Sequence, residues 1–102
     1  MILEIAFFSI RPEDNAKFET AFTGAKKLLS ASPGFIAHEL HRCLEVQGRY
    51  ALLVQWESLD AHLKGFRESP RFPQWRALLG PYFAAQPTVE HFVQLSRGGL
   101  GE

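Results

Sequence analysis

The sequence predicts an α+β domain on the ferredoxin-like plan: an antiparallel four-stranded sheet with helices on one face. Three observations predict it. Apolar periodicity along the chain runs strand, helix, strand, strand, helix, helix, strand. Ser32-Pro33-Gly34 and Ser69-Pro70 break the helical stripes where the chain must turn. The run from Tyr50 to Trp56 is apolar almost throughout, as an interior strand is.

Each element has its own local signal. Ile2 to Arg11 carries Ile2, Leu3, Ile5, Phe7, Phe8 and Ile10, so both parities of this strand are apolar. Pro12 suits the first turn of a helix, where its missing N–H costs nothing, and Glu13 and Asp14 favour the dipole there. Phe18, Ala21, Phe22, Ala25, Leu28 and Leu29 then form one helical stripe. Phe35 to Glu45 is the second strand. Val46-Gln47-Gly48-Arg49 is a hairpin connection in which Gly48 is free to take positive φ. After the third strand, Ser58 caps a helix with the stripe Leu59, His62, Leu63 and Phe66. Ser69-Pro70 opens another helix, with Phe72, Trp75 and Leu79 in register, and Gly80-Pro81 ends it. Thr88 to Ser96 is the last strand.

The chain has 102 residues, the length of one domain. Residues 1–96 form the predicted domain, and 97–102, with three glycines, a flexible tail. The apolar fraction of 46% is enough for a packed core. Eleven basic and eleven acidic side chains give a formal net charge of zero. That argues against nucleic acid, which needs a basic face, and against docking on anionic lipid. The single cysteine, Cys43, leaves no internal disulfide framework. No stretch reaches the roughly 20 apolar residues of a membrane span. The start MILEIAFF lacks a basic n-region and a small-residue cleavage site, so the expectation is a soluble cytoplasmic protein.

Helices on one face leave the other face of the sheet uncovered. Tyr50, Leu52, Val54 and Trp56 share one parity and Ala51 and Leu53 the other, so both faces need cover. An identical sheet is the simplest cover, which gives a homodimer through the sheet face and last strand.

The segments PGFIAHELHRCLE, RYALLVQWESLDAH, GFRESPRFPQWRALL and PTVEHF resemble the small antibiotic biosynthesis monooxygenase (ABM) domain proteins, over roughly Ile2 to Phe92. The resemblance implies a dimeric α+β barrel of ferredoxin-like protomers. It also implies oxidation of anthrone-like or quinol-like aromatics without flavin or metal, hence no cofactor. The chain departs from the pattern at points. Many members place a Glu two residues before the third-strand Trp, where Val54 stands, and His where Phe66 and Arg71 stand. The Asn, Trp and His of haem-degrading relatives fall nearest Phe8 or Ser9, Phe66, and Trp75 or Arg76, and none matches.

His62 is the candidate catalytic residue. On an apolar stripe it faces the sheet, and a His there can take a proton from a phenol near neutral pH. Trp56, Phe66, Phe72 and Trp75 are candidate walls for a flat aromatic ligand. Ser69 and one of Arg42, Arg67 and Arg76 are candidate donors to a developing anion. His38 and Arg42 share a strand face and join the pocket if that face meets the helices. For every one of these the alternative is an ordinary core or surface role.

No metal site is expected. His38 and His41 point to opposite faces, no His pair has i,i+4 spacing, and there is no cysteine cluster. Cys43 lacks a basic neighbour on its own face, and no phosphate loop is present. His91 on the last strand is expected to be structural. The function expected is a cofactor-independent monooxygenase acting on a small phenolic, quinol or polycyclic aromatic molecule. The alternatives are a non-oxidative polyketide-type cyclase or isomerase, or a non-catalytic dimeric small-molecule-binding protein.

Overall fold

The computed structural model describes residues 1–99, so the end of the predicted tail, 100–102, lies outside the described residues. The strands are β1 (Ile2–Ile10), β2 (Phe35–Arg42), β3 (Arg49–Trp56) and β4 (Phe83–Phe92), and the α-helices are α1 (Asn15–Ser30) and α2 (Arg71–Leu79). The sheet is antiparallel in the order β2-β3-β1-β4, with both helices on one face, as the ferredoxin-like reading requires.

Register decides which side chains the helices cover. Glu4, Ala6, Phe8 and Ile10 of β1 are buried, as are Tyr50, Leu52, Val54 and Trp56 of β3. Glu4 pairs with Val54 on one side and His91 on the other, so all three point toward the helices. From above, α1 buries Phe18, Phe22, Ala25 and Leu29 of the predicted stripe and half-buries Ala21 and Leu28. α2 buries Trp75 and Leu79. Removing a side chain of this size from water stabilises the fold by roughly 1.5–3 kcal/mol.

The opposite face presents Leu3, Ile5, Phe7, Ala51 and Leu53, all half-exposed in the single chain. β1 is therefore covered on only one face by its own helices, and the prediction that both are covered needs a second body.

Three predicted boundaries move. β2 ends at Arg42 rather than Glu45, and Cys43 to Gly48 makes the connection. Gly48 has φ of 81°, and a Cβ there would lie 2.0 Å from the Ile10 carbonyl oxygen that packs against it. β4 runs from Phe83 to Phe92 rather than from Thr88 to Ser96. It begins where β1 ends, Phe83 opposite Ile10, and its last pair is Phe92 with Leu3. Pro87 sits within β4, which an edge strand tolerates. The pairing with β1 shifts register between Phe7 and Ser9 and again between Ser9 and Ile10.

The predicted helix after Ser58 is the larger correction. Residues Ala61–Phe66 form a π-helical turn, with Arg67 N–H donating to His62 O at 3.0 Å. Ser58 Oγ still caps it, accepting from Ala61 N–H at 3.1 Å. The wider turn buries His62 and Phe66 but leaves Leu59 exposed, so the predicted four-residue stripe reduces to two. Gly34 permits its close approach to the sheet: φ is 85°, and a Cβ would stand 2.6 Å from Ala61 Cβ.

Candidate active site

A cavity of about 630 Å³ lies between the sheet and α2, within the size range of small-molecule sites. Leu52, Phe66, Phe72, Trp75, Phe83 and Val89 supply apolar walls. Phe66 packs edge-on to both Phe72 and Trp75, with ring centroids 5.7 and 5.8 Å apart, which fixes the wall as a unit. Polar groups are few: Glu4 and His62 inside, Arg67, Arg76 and Gln86 toward solvent.

Glu4 and His62 are 5% and 3% exposed. A buried carboxylate needs donors, and Trp56 Nε1–H donates to Glu4 Oε1 at 2.9 Å. His62 Nε2 stands 3.4 Å from the same oxygen, and its ring stacks on Trp56 at 5.3 Å. On its far side, His62 Nδ1 is 2.8 Å from His91 Nε2. The result is a line of polar groups, Trp56–Glu4–His62–His91, drawn from β3, β1, the π turn and β4.

Burial controls their protonation. It pushes the Glu4 carboxyl up to about 7, against the opposing pull of the Trp56 hydrogen bond and the Arg67 charge. Burial pushes His62 down to about 3, and the Arg67 charge and His91 act in the same direction. Burial and Arg67 also lower His91. Near neutral pH both imidazoles are uncharged, so the 3.4 Å contact between His62 and Glu4 is not an ion pair. Glu4 is the group poised to change charge.

The structure brings together four of the eight predicted site residues. His62, Phe66, Phe72 and Trp75 line the cavity. Trp56 lies beneath it, holding Glu4 by its N–H rather than forming a wall. Ser69 is placed otherwise: its Oγ donates to Phe66 O at 2.7 Å and accepts from Arg71 N–H at 3.2 Å, capping α2. Arg42 is engaged with Glu19 at 3.2 Å, beside the Tyr50 hydroxyl, which donates to Glu19 at 2.6 Å. His38 does face the helices, but it packs under α1 against Phe22 rather than beside the cavity. Burial and the charge of Lys26 hold its pKa down.

Two residues escaped the sequence reading. His91 was expected to be structural, and it hydrogen-bonds the candidate catalytic histidine. Glu4 stands inside an apolar run. Its signal is its parity: it alternates with Ala6, Phe8 and Ile10, and a carboxylate on a fully buried parity is rare without a task. Glu4 is the direct cross-strand partner of Val54.

Two histidines and a carboxylate can also hold a metal, but both ring nitrogens of His62 face other members of the line, so the three groups stand in file rather than around a point. Among the described residues no cluster of three or more such side chains is arranged to hold a metal ion. Among them, too, no helix is long and apolar enough to cross a membrane.

The sequence profile of the antibiotic biosynthesis monooxygenase family matches residues 1–78. The chain is 41% identical over 92 residues to the uncharacterised protein YczJ of Bacillus subtilis (strain 168), an overlap of 90% of this chain and 97% of that protein. A solved structure from Bordetella bronchiseptica that carries the family's name is similar at a TM-score of 0.89 and 38% identity, covering 93% of this chain and 97% of that one. SnoaB from Streptomyces nogalater, a cofactor-independent oxygenase, shares the fold at a TM-score of 0.73 and 24% identity, over 99% and 97% of the two chains.

Proposed function

The chain belongs to the antibiotic biosynthesis monooxygenase family, and on that premise we propose that it is a cofactor-independent monooxygenase of a phenolic, quinol or polycyclic aromatic molecule. One observation carries the reading: a buried carboxylate and a buried imidazole are held together in a cavity whose inner walls are aliphatic and aromatic. Such a site binds a flat apolar molecule and can remove one proton from it.

Deprotonation is the step that this chemistry needs from the protein. Loss of a phenolic or benzylic proton gives an electron-rich anion, which passes one electron to O₂. The resulting radical and superoxide combine, one oxygen stays on carbon, and the other leaves as water. For an anthrone-type CH₂ group the balance is CH₂ + O₂ → C=O + H₂O, with no outside reductant. Glu4 is the net proton acceptor, and His62 orients it and shares the proton. Arg67 and Arg76 place positive charge beside the developing anion. The aromatic walls fix the ring plane.

The open sheet face supports a homodimer, with Leu3, Ile5, Phe7 and Leu53 against the same face of a second copy. The test of function is oxygen uptake with a panel of anthrones and quinols, on protein shown to lack flavin and metal. Uptake with a one-to-one yield of oxygenated product supports the reading. Turnover of a polyketide mimic under nitrogen, with no uptake, replaces it with a cyclase. Thermal stabilisation by these compounds without turnover replaces it with a binding protein.

A further inference from the structure

Glu4, His62 and His91 reach one another from three separate elements. Glu4 and His62 are buried, whereas His91 is partly exposed on edge strand β4. A buried base that accepts a proton in each turnover must also release it, and an aromatic cavity filled by its ligand offers no water to take it. The geometry points to a proton relay in which Glu4 passes the substrate's proton through His62 to His91 and so to solvent at the edge of the sheet. This rests on the reading of the cavity as an acid–base site.

The relay has two hydrogen-bond polarities. In the first, protonated Glu4 donates to His62 Nε2, His62 Nδ1–H donates to His91 Nε2, and His91 carries its own proton on Nδ1. In the second, the Glu4 carboxylate accepts from His62 Nε2–H, His62 Nδ1 accepts from His91 Nε2–H, and His91 Nδ1 has given its proton to solvent. One proton enters at a Glu4 oxygen and one leaves at His91 Nδ1. Neither imidazole ends as a cation. Both polarities satisfy every atom of the 2.8 Å and 3.4 Å links. The link of 3.4 Å is the long one and must shorten as the proton passes.

The groups facing the line agree with this. Trp56 N–H from β3 holds Glu4 in either polarity. Arg67, at the end of the π turn, adds the nearby positive charge that disfavours imidazolium on both rings. Protons therefore move by tautomer exchange rather than by stepwise charging.

The test needs no substrate. Imidazole ¹⁵N spectra of the protein, recorded through neutral pH, should show His62 and His91 changing together from Nδ1–H to Nε2–H with one midpoint. In Glu4→Gln both should hold one tautomer throughout. Tautomers that never change in the native protein, or histidines that titrate independently to imidazolium, overturn the relay. A second arm uses anthrone as the probe. His91→Ala should lower turnover by roughly tenfold to a hundredfold. The solvent deuterium isotope effect should rise, and added imidazole should restore the rate, which a packing role for His91 would not produce. Unchanged turnover and isotope effect in His91→Ala also overturn the relay. If anthrone and the quinols are not oxidised but the tautomers switch, the relay stands and the monooxygenase reading falls. If anthrone is oxidised and the tautomers are fixed, the relay alone falls.

Discussion

A carboxylate on the buried parity of β1 is costly, and its energetics are open to measurement. Glu4 is raised from 4.5 to about 7 on folding, so the native state holds its proton where the unfolded chain has lost it. Its contribution is complete below about 4.5 and is lost as pH rises through about 7. His62, lowered from 6.5 to about 3, has the opposite sign: its contribution is complete above 6.5 and is lost as pH falls toward about 3. The two oppose each other across the acidic range. Glu4→Gln should therefore gain on the native protein as pH rises from 5 to 8, by on the order of 2 kcal/mol in denaturant unfolding. Turnover should follow the carboxylate form, rising with pH through about 7, and Glu4→Gln should lose roughly a hundredfold or more. His62→Ala should fall by a similar factor while circular dichroism shows the fold retained; unchanged turnover removes His62 from the mechanism. At this scale much of the site was legible. His62, Phe66, Phe72 and Trp75 followed from spacing alone, because helical periodicity reports which face is buried. Glu4 and His91 did not, because they meet only through strand pairings that span the whole chain. Arg42 and Ser69 had the right chemistry, but nearer partners, Glu19 and the α2 backbone, engage them.

Among the elements, the π turn does most to define the site. It places His62 over Trp56 on the helix-covered face of the sheet and Phe66 against Trp75, with Leu59 exposed. A regular helix would have kept the predicted stripe, and nothing in the residue pattern separates the two geometries. Gly34 governs how closely the turn approaches. Gly34→Ala should be destabilising by about 2 kcal/mol or more, from the strained positive φ and the clash with Ala61 together. Its effect should reach activity as well, since Ala61 adjoins His62. A Gly34→Ala protein with native stability would show that the turn does not depend on this contact. The order of elements along the chain, the stripes of α1 and α2 and the Gly48 turn were legible because each is set by local chemistry. The ends of β2 and β4 were not, because they are set by where a neighbouring strand stops.

For the whole molecule, the half-exposed face of β1 and β3 is the unfinished surface. Leu53 lies at its centre, between Ile5 and Glu39 in the pairing. Leu53→Asp should convert a dimer to a monomer in sedimentation equilibrium, with a lower Tm; a native monomer would refute the shared-face arrangement. The sequence signalled this surface by its double-sided apolar strands. What it could not signal is the division of labour around the cavity. The acid–base line starts from Trp56 and Glu4 on the interior strands and ends at His91 near the C-terminal end of β4, whereas Phe83, Gln86 and Pro87 line the opening from the other end of that edge strand, where its register slips twice against β1. Phe83 is tied to the core, stacking on Phe8 at 5.3 Å, whereas Gln86 and Pro87 lie outside the core. Substitutions at Gln86 and Pro87 can reshape what enters at little cost to folding, and the groups that move the proton stay in place. A lineage built on this chain can therefore change its substrates by editing one strand margin while inheriting its chemistry intact.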